Sequence, residues 1–266
     1  MISARSSIQL KKVSELVKYT LYAVTLLLVN TASFGFPLTT DDTGTLAQGR
    51  SKIELNNELS DDLMNGASEV SVSHEIALIH GLRDNLSGFV NLPYRDVSVR
   101  EADGNRSNKQ GFGDAKIGLK WRFLTQGSVS VGVKAAVTVP VDDTAKRLGN
   151  GQPAYSVNTI ASYEATALEY HLNIGYTWLP NTFNQREWLE NISAAMVLNL
   201  NSSWKVMADI GVAGNKDKAT SEMPAYFGVG LSYKLNQDLT LDIGLKHGLS
   251  AVETDNTGLV GVSWVF

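Results

Sequence analysis

Ala115-Lys116-Ile117-Gly118-Leu119-Lys120-Trp121-Arg122-Phe123 puts every odd-numbered side chain on one apolar face and leaves lysine, arginine or glycine on the other. Val129 to Val139 repeats the pattern, with valine or alanine at odd positions against Ser130, Gly132, Lys134, Ala136 and Thr138. A strict period of two is the signature of a strand with one apolar and one polar face. Working outward, similar segments occur near 51–60, 69–81, 86–98, 155–164, 168–178, 188–198, 204–213, 225–235, 239–247 and 257–266. With the first two they make about twelve strands. Each is roughly 10–13 residues long, against about 9–11 for a tilted transmembrane strand and about five or six for a soluble one.

The connections alternate in length. Long ones span 61–68, 99–111, 140–154, 179–187, 214–224 and 248–256, and short ones lie at 83–85, 125–128, 165–167, 199–203 and 236–238. Outer-membrane barrels have short periplasmic turns, long outer loops and an even strand count. The apolar parity, turned outward, also predicts two aromatic belts. Trp121, Phe123, Tyr163, Tyr170, Trp204, Tyr233, Trp264 and Phe266 fall near short turns, and Tyr94, Tyr155, Tyr176, Trp178, Trp188 and Phe227 near long loops. A charge on such a face costs about 2–4 kcal/mol at mid-bilayer; Glu190, at the outer rim, is an exception to an otherwise nearly uncharged parity. Lipocalin-like barrels bury their apolar parity inward and have no such belts. The expected fold is all-β, a single antiparallel transmembrane barrel in the outer membrane of a Gram-negative bacterium, with lipid as its outer partner.

The N-terminus carries Arg5, Lys11, Lys12 and Lys18, then an apolar stretch from Leu21 to Val29, then Thr31, Ala32, Ser33 and Gly35. That is the layout of a cleavable signal peptide over 1–35, with cleavage after Ser33 or Gly35. Cleavage after Gly35 removes four bases and one acid and takes the net charge from −4 to −7. An acidic chain argues against nucleic acid as a partner. Cysteine is absent, which excludes disulfides, thiol catalysis and zinc–cysteine sites. Residues 36–49 form a periplasmic leader or a partial plug, and 50–266 the barrel. Phe266, with Trp264 and Val262 at alternate positions before it, resembles the terminal signature read by barrel-insertion machinery.

The polar parity gives the lumen its chemistry. Glu54, Glu75, Lys116, Lys120, Arg122, Lys134, Asp209 and Asp242 are the expected pore-lining residues, and Arg95 joins them if Pro93 introduces no bulge. Acids gather on the first two strands, at Glu54, Glu58, Glu69 and Glu75, and bases at Lys116, Lys120, Arg122 and Lys134. Such sectors either set a transverse field across a wet pore or knit the interior into a salt-bridged plug. In the leader, Asp41 and Asp42 lack the spaced oxygen ligands of a calcium loop. Gly111-Phe112-Gly113-Asp114 and Gly149-Asn150-Gly151 precede no helix, so they read as turns rather than phosphate loops. His74, on the apolar parity, is the one candidate for a lipid-facing hydrolase. A nucleophile elbow is absent, and the outward positions beside it offer no serine. No cofactor or metal is implied.

Several segments resemble the outer-membrane transporter family named for the MetA pathway of phenol degradation. They are Pro37-Leu38-Thr39-Thr40-Asp41-Asp42-Thr43-Gly44-Thr45, Leu92-Pro93-Tyr94, Gly111-Phe112-Gly113-Asp114, Lys120-Trp121-Arg122-Phe123 and Leu148-Gly149-Asn150-Gly151. The resemblance spans residues 37–266. It implies a barrel passing small, aromatic or hydrophobic compounds, with no catalytic residues. The expectation is a passive channel for small solutes. Alternatives are a closed barrel binding a partner through loops 99–111, 140–154 and 214–224, or an outer-membrane hydrolase.

Overall fold

The computed structural model describes residues 37–266 apart from 65–66, 142–147, 150 and 182; the expected signal peptide lies outside the described residues. Thirteen strands follow one another: β1 (Ser51–Met64), β2 (Ala67–Arg83), β3 (Leu86–Arg100), β4 (Arg106–Phe112), β5 (Ala115–Gln126), β6 (Val129–Val139), β7 (Ala154–Glu164), β8 (Leu168–Trp178), β9 (Trp188–Asn199), β10 (Trp204–Ala213), β11 (Ala225–Lys234), β12 (Leu239–Gly248) and β13 (Asn256–Val265). All but β4 form a closed antiparallel ring of twelve, in which β1 pairs with both β2 and β13. Ser51 and Phe266 exchange backbone hydrogen bonds of 2.8 Å at the seam, so the ring has no free edge.

The outer ends depart from expectation. Segments 61–68 and 99–111, expected as loops, are largely strand: β1 and β2 run to Met64 and from Ala67, and β4 pairs with β3 alone. From Asn91 to Tyr94 β3 advances three residues, while its partners advance four, from Phe112 to Lys116. β4 is therefore the outer continuation of β5 across a one-residue bulge. Pro93 has no N–H for the ladder, and its carbonyl instead accepts Gly113 N–H at 2.9 Å. These extensions escaped the pattern because Arg106-Ser107-Asn108-Lys109-Gln110 stands above the bilayer, where neither face needs apolar side chains.

The outward face is largely apolar at mid-height, with Ile76, Leu245 and Ile243 each more than half exposed. Rings pair along both rims. Trp121–Phe123, Tyr163–Tyr170, Trp204–Tyr233 and Trp264–Phe266 lie by the short turns, and Tyr94–Phe112, Tyr155–Trp178 and Trp178–Trp188 by the outer end. Exposed apolar walls between two aromatic belts are stable against lipid and not against water, which makes this an outer-membrane barrel.

Candidate functional site

Residues 37–49 lie inside the barrel, hydrogen-bonded strand after strand along the inner wall. The segment starts against β11 and β12, where Pro37 packs into space left by Gly230 and Gly244; a Cβ at either glycine would come within about 3 Å of it. Its first anchor is Asp209 on β10. The Thr39 and Thr40 N–H groups donate to Asp209 Oδ2 at 2.9 and 3.1 Å, and the Thr40 hydroxyl does so at 3.3 Å. Tyr226 Oη donates to the same oxygen at 3.3 Å. A buried carboxylate needs such donors to remain in a low-dielectric interior. On β8, Asn173 clamps Asp41 from both sides, accepting its N–H at 3.0 Å and donating to its carbonyl at 2.7 Å.

Thr43 reaches β6 and β7. Its N–H donates to Ser162 Oγ at 3.1 Å, and its hydroxyl meets Ser130 Oγ at 2.6 Å. His171 bonds the same Ser162 Oγ at 2.8 Å and is buried. The leader then descends to the β2–β3 turn. Leu46 N–H donates to Ser87 Oγ at 2.9 Å, and the Thr45 hydroxyl and Gln48 N–H bind Asp84 at 2.7 and 2.9 Å. Gly81 permits the final approach, since a Cβ there would sit 2.1 Å from the Ala47 carbonyl oxygen.

Two lysines form the centre of this arrangement. Lys120 and Lys134 stand directly opposite each other on β5 and β6, a like-charge juxtaposition that is unfavourable without an anion between. Asp41 supplies it. Lys120 Nζ lies 2.7 Å from Asp41 Oδ1 and 3.0 Å from Asp42 Oδ1, and Lys134 Nζ lies 2.5 Å from Asp41 Oδ2. Burial works against the Asp41 charge, but Lys120 and Lys134 outweigh it and hold its pKa below the ordinary carboxylate value. Lys120 is the largest influence on Asp42 and holds its pKa below the ordinary carboxylate value as well, against the effect of burial. Lys134 also rests over the Phe89 ring, 5.0 Å from its centroid.

The wall facing the leader encloses open space. A cavity of about 630 Å³ is bounded by the leader on one side and by β13, β1, β2 and β3 on the other, with Glu54, Glu58, Glu75 and Phe89 in its lining. Glu58, Ser73 and Arg95 also line a second cavity of about 330 Å³ toward the outer end. There Arg95 Nη1 donates to the Leu148 carbonyl at 3.4 Å, and Leu148 lines that cavity. Lys216, in the 214–224 loop, is held below its usual pKa by burial and then by the Arg95 charge.

The expected lining residues divide among these regions. Lys120, Lys134 and Asp209 hold the leader. Glu54 is engaged by Lys52 at 2.5 Å, and Glu75 accepts from Asn91 at 2.8 Å, with Lys116 opposite Asn91 in register. Asp242 is buried opposite Ser232 on β11. Arg122 lies at the periplasmic mouth, donating to the Asp84 carbonyl at 3.3 Å. Asp41 and Asp42, set aside as calcium ligands, are the lysines' counter-ions. Phe89 escaped notice although its odd number places it on the inward parity of β3.

Comparison with known proteins adds the fold's relatives. The chain resembles an outer-membrane channel from Pseudomonas putida F1 at TM-score 0.74 and 14% identity, over 86% of this chain and 100% of that one. It resembles the KdgM porin at TM-score 0.57 and 10% identity, over 81% and 99%, and the NanC porin at 0.55 and 11%, over 80% and 98%. No curated protein sequence matches. A family model matches residues 63–266, everything beyond the leader and most of β1, and the chain therefore belongs to the family described as "Putative MetA-pathway of phenol degradation".

Proposed function

We propose that this barrel is a passive outer-membrane channel for small solutes. The observation that carries the reading is the cavity of about 630 Å³ left between the docked leader and β13–β1–β2–β3, which shares Glu58, Ser73 and Arg95 with the outer cavity. A polar, charge-lined passage of this kind selects by width and by the sign of its lining. The structural relatives named as channels and porins, and a family named for phenol degradation, support the same reading and favour aromatic or other apolar-bodied solutes. The test is swelling of liposomes holding the refolded chain, together with single-channel recording. Solute-dependent swelling is expected, and liposomes that stay impermeable with correctly folded barrels would contradict it.

The hydrolase alternative finds less support. His74 Nδ1 meets Asn57 Oδ1 at 2.5 Å on the lipid face, so its polarity is answered by an amide rather than by a nucleophile. The exposed C-terminal pair Trp264 and Phe266 remains our candidate handle for the insertion machinery.

A further inference from the structure

Lys120 and Lys134 form a prebuilt anion site that the chain fills with its own carboxylate. Resting on the channel reading, we infer that these lysines and Phe89 make a binding site inside the passage for a small aromatic carboxylate, with Asp41 occupying the position of the solute's carboxylate. Three observations converge on that class of ligand. The lysines face each other across β5 and β6, an arrangement that requires an anion between them. The anion found there is a carboxylate whose two oxygens are divided between the two ammonium groups, at 2.7 and 2.5 Å. The third is the ring of Phe89, buried to 7% exposure and aligned with Lys134 at 5.0 Å.

Lys134 joins the two, its ammonium 2.5 Å from Asp41 Oδ2 and 5.0 Å from the Phe89 centroid, so an aromatic acid held by the lysines can carry its ring into the part of the cavity that Phe89 lines. Both lysines and Phe89 line the same cavity of about 630 Å³, so the solute needs no opening beyond a swing of the two aspartate side chains. The leader backbone stays in place meanwhile, because Asp209, Asn173, Ser162 and Ser87 hold it by its N–H groups. The leader thus acts as a tethered competitor, and a neutral aromatic gains nothing from displacing it.

The experiment is calorimetric titration of the refolded full chain with benzoate, benzamide and acetate, folding being checked by heat-modifiable mobility. Asp41→Asn with Asp42→Asn is expected to bind benzoate at least tenfold more tightly than the wild type, and benzoate at least tenfold more tightly than benzamide or acetate. Adding Lys120→Gln and Lys134→Gln to that variant is expected to abolish the gain, and adding Phe89→Leu to bring benzoate down to the affinity of acetate. Unchanged benzoate affinity in the aspartate variant, equal binding of benzamide, or a gain that survives loss of the lysines would overturn the site. Swelling with a small neutral sugar separates the two readings. Swelling without benzoate binding removes this site and leaves the channel; benzoate binding with no swelling, even after removal of residues 37–47, removes the channel and leaves the site.

Discussion

The two halves of the lumen wall are built from the same alternating strands and do opposite things. From β5 to β11, the inward parity carries hydrogen-bonding groups that take the leader: Ser130, Ser162, Asn173 and Asp209 each meet a leader backbone group or side chain. From β13 through β1 and β2 the inward groups include Thr257, Leu259, Glu54, Glu58 and Glu75, with Lys52 as a single base among the acids, and these face the cavity. The difference teaches that a strand's inward parity can be made to receive chain or to leave room, according to whether its side chains match N–H groups or repel carboxylates. The acidic wall and the leader's aspartates carry the same sign, so the leader settles on the lysine side.

Removing residues 37–47 should have the largest effect. A several-fold rise in single-channel conductance is expected, because one side of the lumen loses its cover; unchanged conductance would mean that the leader fills no space that ions use. Next in size, Asp209→Ala strips the acceptor from two N–H groups and a hydroxyl of the leader. Bonds of this charged kind are worth about 1.5–3 kcal/mol each, so docking should weaken by roughly 3 kcal/mol after partial rescue by water. The leader's amide hydrogen exchange should accelerate while that of the barrel stays fixed.

Acidification probes the same half. Asp41 and Asp42 have depressed pKa values when docked, so their contribution to docking is complete above the ordinary carboxylate value of about 4 and is lost only as the pH falls through the lower, docked values. Conductance should stay flat from neutral pH to about 4 and rise below it. In Lys120→Gln with Lys134→Gln nothing offsets the burial of these carboxylates, so conductance should already be raised at neutral pH and the acid-induced rise should be lost. Charge reversal then distinguishes the halves. Lys116→Glu, beside the Glu75–Asn91 pair, should shift ion selectivity toward cations with the leader still docked. Lys134→Glu should act chiefly by expelling Asp41. The smallest effect belongs outside the lumen: His74→Ala, on the lipid face, should change stability by less than about 1 kcal/mol and leave phospholipid turnover at background.

Much of this was legible in residues alone, for a physical reason. Lipid imposes one rule on every outward position, so Val129 to Val139 or Ala115 to Phe123 show the wall without any knowledge of partners. Arg95 follows the inward parity in the structure, lining both cavities, because Pro93 costs a hydrogen bond but shifts no register on the β2 side, where Glu75 still faces it. The β4 extension was not legible, since water on both sides leaves no period to read. The lumen was half legible. Parity shows which charges point inward, but the pairing of Lys120 with Lys134 depends on register, and their joint contact with Asp41 bridges 79 and 93 residues of sequence. Two adjacent aspartates in a leader entering a lumen with facing lysines were the signal, and it becomes readable only once the β5–β6 register is known.

The proposed route for solutes runs along the β13–β1–β2–β3 wall, with the leader docked throughout. Thr43 Oγ1 and Ser130 Oγ lie 2.6 Å apart, and the chain has no cysteine, so Thr43→Cys with Ser130→Cys can form a single disulfide that fastens the leader to β6. The measurement is single-channel conductance of that variant, oxidised and then reduced in the same bilayer. The same conductance is expected in both states; a barrel silent when oxidised and conducting when reduced would contradict that route.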